Sequence, residues 1–231
     1  PRFFFQAEDC IRYVERSRWL GDLYKRQDVS KPEDVTQLLA QTSNLRGVVH
    51  AAGVLDDGML MHQSPKRFLK VAGPKVSGAW NLHIQTKDLP LDFFVLFSSV
   101  ASIIGSPGQS NYAAANAFMD GLAHHRKNHG LVATSINWGP WADVGMAASD
   151  VVLQRLMKDG WQPMNASQGC DFIGHLLTAR DLPQAAVLPV DWGQFAASIP
   201  GASDWSTLSH LVPKERSNPL VGNAAELAAQ R

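Results

Sequence analysis

Cysteine is scarce in this chain of 231 residues, which holds only Cys10 and Cys170. Two thiols so far apart make neither a disulfide scaffold nor a metal knuckle, so they read as reduced thiols of a cytoplasmic protein. An excess of charge is also missing. The 21 basic and 21 acidic side chains cancel, which argues against nucleic acid or an anionic membrane as partner. No apolar run approaches the ~20 residues needed to span a bilayer, and the first residues lack the charged-then-apolar order of a signal peptide. No His, Cys, Asp and Glu grouping has metal-ligand spacing, and no internal repeat is visible. What remains is a soluble globular protein, long enough for one full domain with appendages.

From Gln27 onward, short apolar runs alternate with longer amphipathic ones, the pattern of a parallel sheet covered by helices. Four runs read as buried strands: Gly47 to Ala51, Phe93 to Phe97, Thr134 to Trp138 and Ala186 to Val190. Each is nearly continuous in apolar residues, as strands covered on both faces should be. The expected fold is therefore α/β, a three-layer Rossmann-like parallel sheet with helices on both faces. Helix starts are marked between the strands. Ser30 with Glu33, and Asn165 with Gln168, read as capping boxes, and Ser64-Pro65 places proline at a first helical position. A helix over 109–129 carries Ala113, Ala114, Ala117 and Ala123, small enough to lie close on a sheet, and His124 and His125 read as solvent-facing. Val71 to His83 reads as one apolar-faced helix.

The chemistry concentrates in Ser98-Ser99, Tyr112 and Asn116, with Lys75 upstream. A hydroxyl, a phenol, an amide and an ammonium are the equipment for protonating a carbonyl oxygen during hydride transfer. A phenol with a reference pKa near 10 is a poor acid at neutral pH, and a nearby cation eases its proton away. Ser99 would hold the substrate oxygen while Tyr112 donates. Ser99 ends a strand and Tyr112 opens the next helix, so both belong at the sheet edge where ligands bind. Asn116 follows Tyr112 by four residues, one turn along the same face, and is suited to hold a water between Lys75 and the phenol. Adjacent strand residues face opposite ways, so only one of Ser98 and Ser99 can serve. Taken singly, each residue has a plainer reading: a turn serine, a tyrosine plugging a helix–sheet gap, a surface asparagine, a solvated lysine. The tight Gly105-Ser106-Pro107-Gly108-Gln109 turn, which holds two of these segments at fixed separation, favours the functional reading.

In this order, with His50-Ala51-Ala52-Gly53-Val54-Leu55-Asp56-Asp57, Gly108-Gln109-Ser110-Asn111-Tyr112 and Asn137-Trp138-Gly139-Pro140-Trp141, the chain resembles the catalytic half of a polyketide synthase ketoreductase, a branch of the short-chain dehydrogenases/reductases. The resemblance runs from about Asp28 to about Val212. It implies NADPH-dependent reduction of a β-ketoacyl thioester on an acyl carrier protein, among neighbouring synthase domains. It makes Tyr112 the general acid, Ser99 the group polarising the ketone, Lys75 the cation beside phenol and ribose, and Asn116 the support of a relay water. It further implies cofactor contacts from Asp28, Val29, Ala51, Ala52, Gly53, Asn137, Trp138 and Gly139. Leu55-Asp56-Asp57 resembles the signature of B-type enzymes, which give the (3R)-hydroxyl, and Ile104 stands where the contrasting class has Trp. Without the family, Asp56 and Asp57 read as a polar turn before Gly58. Gln109 belongs to the same substrate group, and Met146 to a mobile lid over Val144 to Leu156.

One part of the family pattern is missing. No Gly-x-Gly-x-x-Gly occurs in the chain, so the first βαβ unit, whose amides would meet the pyrophosphate, has no counterpart. Residues 1–26 instead read as a remnant of a preceding domain. They resemble the end of a medium-chain enoylreductase, or form an amphipathic helix packing on a neighbour. Residues 27–212 are the catalytic subdomain, and 213–231 a linker toward a downstream domain such as a carrier protein. The alternative expectation is a truncated or structural module that keeps the side chains and cannot hold cofactor by itself.

Overall fold

A four-stranded parallel sheet, ordered β1-β2-β3-β4, organises the chain. Its strands are β1 (Gly47–His50), β2 (Phe93–Ser99), β3 (Thr134–Trp138) and β4 (Gln184–Val187). The computed structural model describes residues 27–142, 150–179, 181–199, 201, 205–208 and 210–212. Residues 1–26, 143–149 and 213–231, and with them the expected domain remnant, the first half of the expected lid and the linker, lie outside the described residues, whereas Asp150 to Leu156 of that lid are helical. Three strands match the apolar runs that predicted them. The fourth begins two residues earlier and ends at Val187, because Ser135 to Trp138 pair with Gln184 to Val187 and Pro189 has no N–H to extend the ladder.

Among the described residues the α-helices are α1 (Pro32–Ala40), α2 (Pro65–Ala72), α3 (Gly78–Thr86), α4 (Ala101–Ile104), α5 (Ser110–Asn128), α6 (Asp150–Lys158), α7 (Ala166–Thr178) and α8 (Trp192–Ser198). Strand alternation divides them between two faces. Val48, Phe94 and Leu96 meet Ala79 and Leu82 of α3 and Met119, Leu122 and Ala123 of α5. Val95, Ile136 and Trp138 face Ile173, Leu176 and Leu177 of α7. Each large buried side chain contributes roughly 1.5–3 kcal/mol, so these two layers dominate the fold. Of the alanines expected to allow close approach, Ala123 is buried with Ala115, whereas Ala114 and Ala117 point to solvent.

Two caps form as expected and one does not. Ser64 Oγ accepts from Arg67 N at the start of α2, and Asn165 with Gln168 closes a full capping box on α7. At α1 the N-cap is Lys31, without a side-chain cap. Ser30 is diverted because its N–H and Oγ both donate to Asp28 Oδ1, at 3.0 and 2.6 Å. Among the described residues no helix is long and apolar enough to cross a membrane.

Candidate active site

The helix expected over Val71 to His83 is interrupted. Between α2 and α3 the chain makes a π turn, Gly73–Ser77, and such turns recur at functional sites. Lys75 lies in it and is 3 % exposed. Its Nζ donates to Phe97 O at 3.0 Å and sits 5.2 Å from the Tyr112 ring centroid. A Cβ on Gly53 would fall 2.9 Å from Lys75 Cε, so glycine is required there to admit the lysine stem. Burial drives the Lys75 ammonium down to about 7, with the negative charge of Asp120 acting in the opposite direction. A lysine in this state exchanges its proton near neutral pH.

Helix α5 carries the phenol and two further polar groups on one face, Tyr112, Asn116 and Asp120 at successive turns. Tyr112 is buried against Leu55, Val71, Ala101 and Ala115, and Asn111 Oδ1 accepts from its N–H at 2.8 Å. Burial raises the phenol above its ordinary range, while hydrogen bonding by Asn116 and Ser99 pulls it back. The expected lowering by Lys75 is not among the causes, and desolvation of the phenolate is the largest of them. Asn116 Nδ2 donates to Tyr112 O at 2.8 Å, and its Oδ1 is buried without a partner among the described residues. An orphaned acceptor in a buried polar site is suited to an ordered water.

Ser98 and Ser99 part company at the end of β2. Ser98 is buried toward α5, donating to Asn116 O and accepting from Asn137 Nδ2 at 3.1 Å. Ser99 is half-exposed, accepts from Ala101 N at 3.2 Å and hydrogen-bonds the Tyr112 phenol. Behind both runs a polar network that sequence reasoning missed. Asp120 accepts from Ser135 Oγ at 2.6 Å, Ser102 Oγ at 2.7 Å and Asn137 Nδ2 at 2.9 Å. Asp120 lies one helical turn beyond Asn116, and that spacing was the only signal for it.

The Asp56-Asp57 segment is tied down rather than free. Asp56 Oδ1 accepts from Arg67 Nε at 2.7 Å and Oδ2 from Lys70 Nζ at 3.1 Å, and these two cations hold its carboxyl below the usual range. Gln109 Nε2 donates to Asp57 Oδ2 at 2.9 Å, and Asn111 Nδ2 to Asp56 O at 2.8 Å. Leu55 packs beside Tyr112. The structure thus gathers Lys75, Ser99, Tyr112, Asn116, Leu55, Asp56, Asp57 and Gln109 at the carboxyl edge of β1 and β2. Met146 lies outside the described residues.

Against this geometry, the family pattern described as KR domain matches residues 23–143. The chain belongs to the KR-domain family, the ketoreductases of polyketide synthases. It is 46 % identical over 187 residues to polyketide synthase GfsA of Streptomyces halstedii, covering 80 % of this chain and 2 % of that protein. It is likewise 46 % identical over 168 residues to the phenolphthiocerol synthesis polyketide synthase Pks15/1 of Mycobacterium marinum, covering 70 % of this chain and 8 % of that one. The chain therefore spans a small fraction of these curated relatives. Among solved structures, one described as A-type ketoreductases from a modular polyketide synthase superposes with TM-score 0.77 at 36 % identity, covering 83 % of this chain and 42 % of that one. The first ketoreductase of the tylosin synthase gives TM-score 0.72 at 38 % identity, with the same coverages.

Members of the family are nicotinamide-dependent, and the residues expected to contact such a cofactor lie in separate segments. Ala51, Ala52 and Gly53 form an open segment after β1. Val29 packs where a Cβ on Gly78 would fall, as does His50 Cε1, which places Val29 beside the end of β1. Asp28 is bonded to Ser30. Asn137 departs from expectation: its side chain is fully buried in the Asp120 network and accepts from Gln184 Nε2 at 3.0 Å, so only its backbone can face a ligand. Trp138 is also buried, in tilted ring contact with Phe97 and Trp141, and Gly139 N donates to Val187 O. The donors of Lys75 and Tyr112, with the acceptor Asn116 Oδ1 beside them, fit the nicotinamide-ribose end of a dinucleotide. His50, unmarked in the sequence reading, is buried against Lys75, and burial followed by that charge lowers its imidazole to about 3. Among the described residues no group of His, Cys, Asp and Glu gathers to hold a metal ion.

Proposed function

We propose that this site reduces the ketone of a β-ketoacyl thioester, presented by an acyl carrier protein, to the (3R)-hydroxyacyl thioester, with NADPH as reductant. The observation that carries this reading is the burial of Lys75 beside the Tyr112 ring at 5.2 Å, with its proton labile near pH 7. A buried ammonium at a phenol is costly unless it stabilises charge that develops there. When bound, a nicotinamide dinucleotide supplies the hydride for the β-carbon. Lys75 and Tyr112 would hold its ribose, Ala51, Ala52 and Gly53 would pack beneath it, Asp28 and Val29 would meet the adenine, and Trp138 and Gly139 would border the nicotinamide.

Ser99 donates a hydrogen bond to the ketone oxygen and polarises it. Tyr112 then passes its proton to that oxygen, and its raised pKa keeps the proton on the phenol until charge builds on the substrate. Lys75 stabilises the phenolate left behind. Asn116 Oδ1 accepts from a water that returns the proton through Lys75. Leu55-Asp56-Asp57 beside Tyr112, with Ile104 in place of Trp, supports the (3R) outcome. Tyr112→Phe is expected to abolish reduction of a β-ketoacyl surrogate with the fold intact, and unchanged turnover would remove Tyr112 from the mechanism.

The absence of any Gly-x-Gly-x-x-Gly favours one second reading, a module that keeps this chemistry and does not hold its cofactor alone. Titrating the chain with NADPH and following nicotinamide fluorescence separates the two. Micromolar saturable binding defeats the second reading, and no binding confines catalysis to a longer polypeptide.

A further inference from the structure

We infer that Arg67 is the positioning residue that sets which face of the ketone is reduced, by clasping the Leu55-Asp56-Asp57-Gly58 segment to α2. This inference rests on the reductase reading above. One guanidinium makes most of the contacts on that side, with Lys70 Nζ on Asp56 Oδ2 and Gln63 Nε2 on Gly58 O adding one each. Arg67 Nε and Nη2 both reach Asp56 Oδ1, at 2.7 and 2.6 Å. Nη2 also donates to the carbonyls of Asp56, at 3.3 Å, and Asp57, and Nη1 donates to His62 O at 3.3 Å. Only a planar fork with several donors can serve a carboxylate and three carbonyls together.

The backbone is shaped to receive it. A Cβ on Gly58 would lie 2.5 Å from Arg67 Nη1 and 2.8 Å from Nη2, so any other residue at 58 would push the guanidinium off the segment. The opposite side is fastened to the Tyr112 region. Gly58 N donates to Gly108 O at 2.7 Å, Asn111 Nδ2 to Asp56 O, and Gln109 Nε2 to Asp57 Oδ2. Both aspartate side chains are thus occupied within the protein. Their contribution to stereochemistry is the position of the segment they hold, and Leu55 delivers that position to the wall around Tyr112.

The selection of one face follows from that wall. Hydride and proton arrive from fixed directions, so the face reduced is the one the acyl chain is allowed to present. An ångström of slack in a neighbouring wall is enough to admit the other approach.

The test is the product diastereomer ratio, read by chiral chromatography after reduction of a racemic α-methyl β-ketoacyl surrogate by the full chain and its variants. Arg67→Gln is expected to lower the (3R):(3S) ratio at least tenfold while kcat changes by less than threefold. Arg67→Lys keeps the charge and loses the fork, so it is expected to fall nearly as far. Gln109→Ala loosens the same segment from its far side without touching α2 and is expected to shift the ratio in the same direction, by less. It serves if Arg67→Gln fails to fold. Folded Arg67 variants with the parental ratio, or an unshifted Gln109→Ala when Arg67→Gln does not fold, overturn the inference. A parental chain that binds NADPH yet reduces nothing overturns instead the reductase reading, a distinguishable result.

Discussion

Two buried cations lie in one helix–sheet layer, near opposite ends of β2, and they are held in different ways. Arg126 is 1 % exposed, stacks on the Phe94 ring at 3.9 Å, donates Nε to Val132 O at 3.1 Å and meets His83 Nδ1 at 3.1 Å. Lys75 is 3 % exposed and has one hydrogen bond among the described residues, to Phe97 O. Burial lowers both, Arg126 to about 10 and Lys75 to about 7. The guanidinium starts high enough to remain charged throughout the physiological range. The ammonium arrives where a proton comes and goes. A cation that serves structure is spread over a fork and bonded along it, whereas the under-bonded one stands at the carboxyl edge where ligands bind.

The largest expected effect that would break this contrast is on turnover. Lys75→Met should lower kcat by ~10²–10⁴-fold while leaving stability unchanged or raising it by about 1 kcal/mol or more, because a buried charge is replaced by an apolar chain of similar length. Steady-state kinetics and chemical denaturation of the same sample check both halves. Arg126→Met should do the reverse. It strands Val132 O and His83 Nδ1, at about 1–3 kcal/mol for each unsatisfied group, and turnover per folded molecule should hold.

Asp120→Ala sharpens the comparison. It leaves Ser135 Oγ without its acceptor and takes one acceptor each from Ser102 and Asn137, a loss of about 1–3 kcal/mol. It also removes the charge that raises Lys75, so the alkaline fall of kcat/KM should begin at lower pH than in the parent. Tyr112 and His50 are the other titratable groups facing Lys75, and both remain. An unmoved alkaline limb would confine Asp120 to a structural role.

The smallest effects are in stability against pH. Lys75 has a folded value near 7, below its ordinary 10.5. The unfolded chain therefore binds more protons between these limits, and stability should rise with pH across them. Lys75→Met should flatten that slope. His50, near 3 against 6.5, stabilises fully above pH 6.5 and loses this contribution as pH falls toward 3. His50→Gln should retain more of its own stability in acid, as denaturant titrations at stepped pH would report.

Three strands were readable because they are largely apolar on both faces, while the fourth begins at Gln184, two residues ahead of its apolar run, and exposes Ala186. Tyr112 with Asn116 were readable because helical spacing alone puts them on one face. Burial could not be read for Asn137. It is polar and stands next to last in its strand, and only strand alternation against α5 turns it inward to Asp120. Ser30 misled for a similar reason, since Asp28, two residues earlier, competes for the hydroxyl that a cap would use. Arg67 carried no signal at all, because its meaning depends on Asp56, eleven positions back, and on a glycine at 58.

By itself the order of residues determined the sheet, its covering helices and the types of group gathered at its edge, since apolar periodicity and side-chain chemistry are local properties. Only the tertiary structure decided which groups are buried, which hydroxyl of Ser98 and Ser99 faces outward, and which cation is left able to release its proton. Those properties come from desolvation and from partners distant in the chain, and neither exists until the layers close.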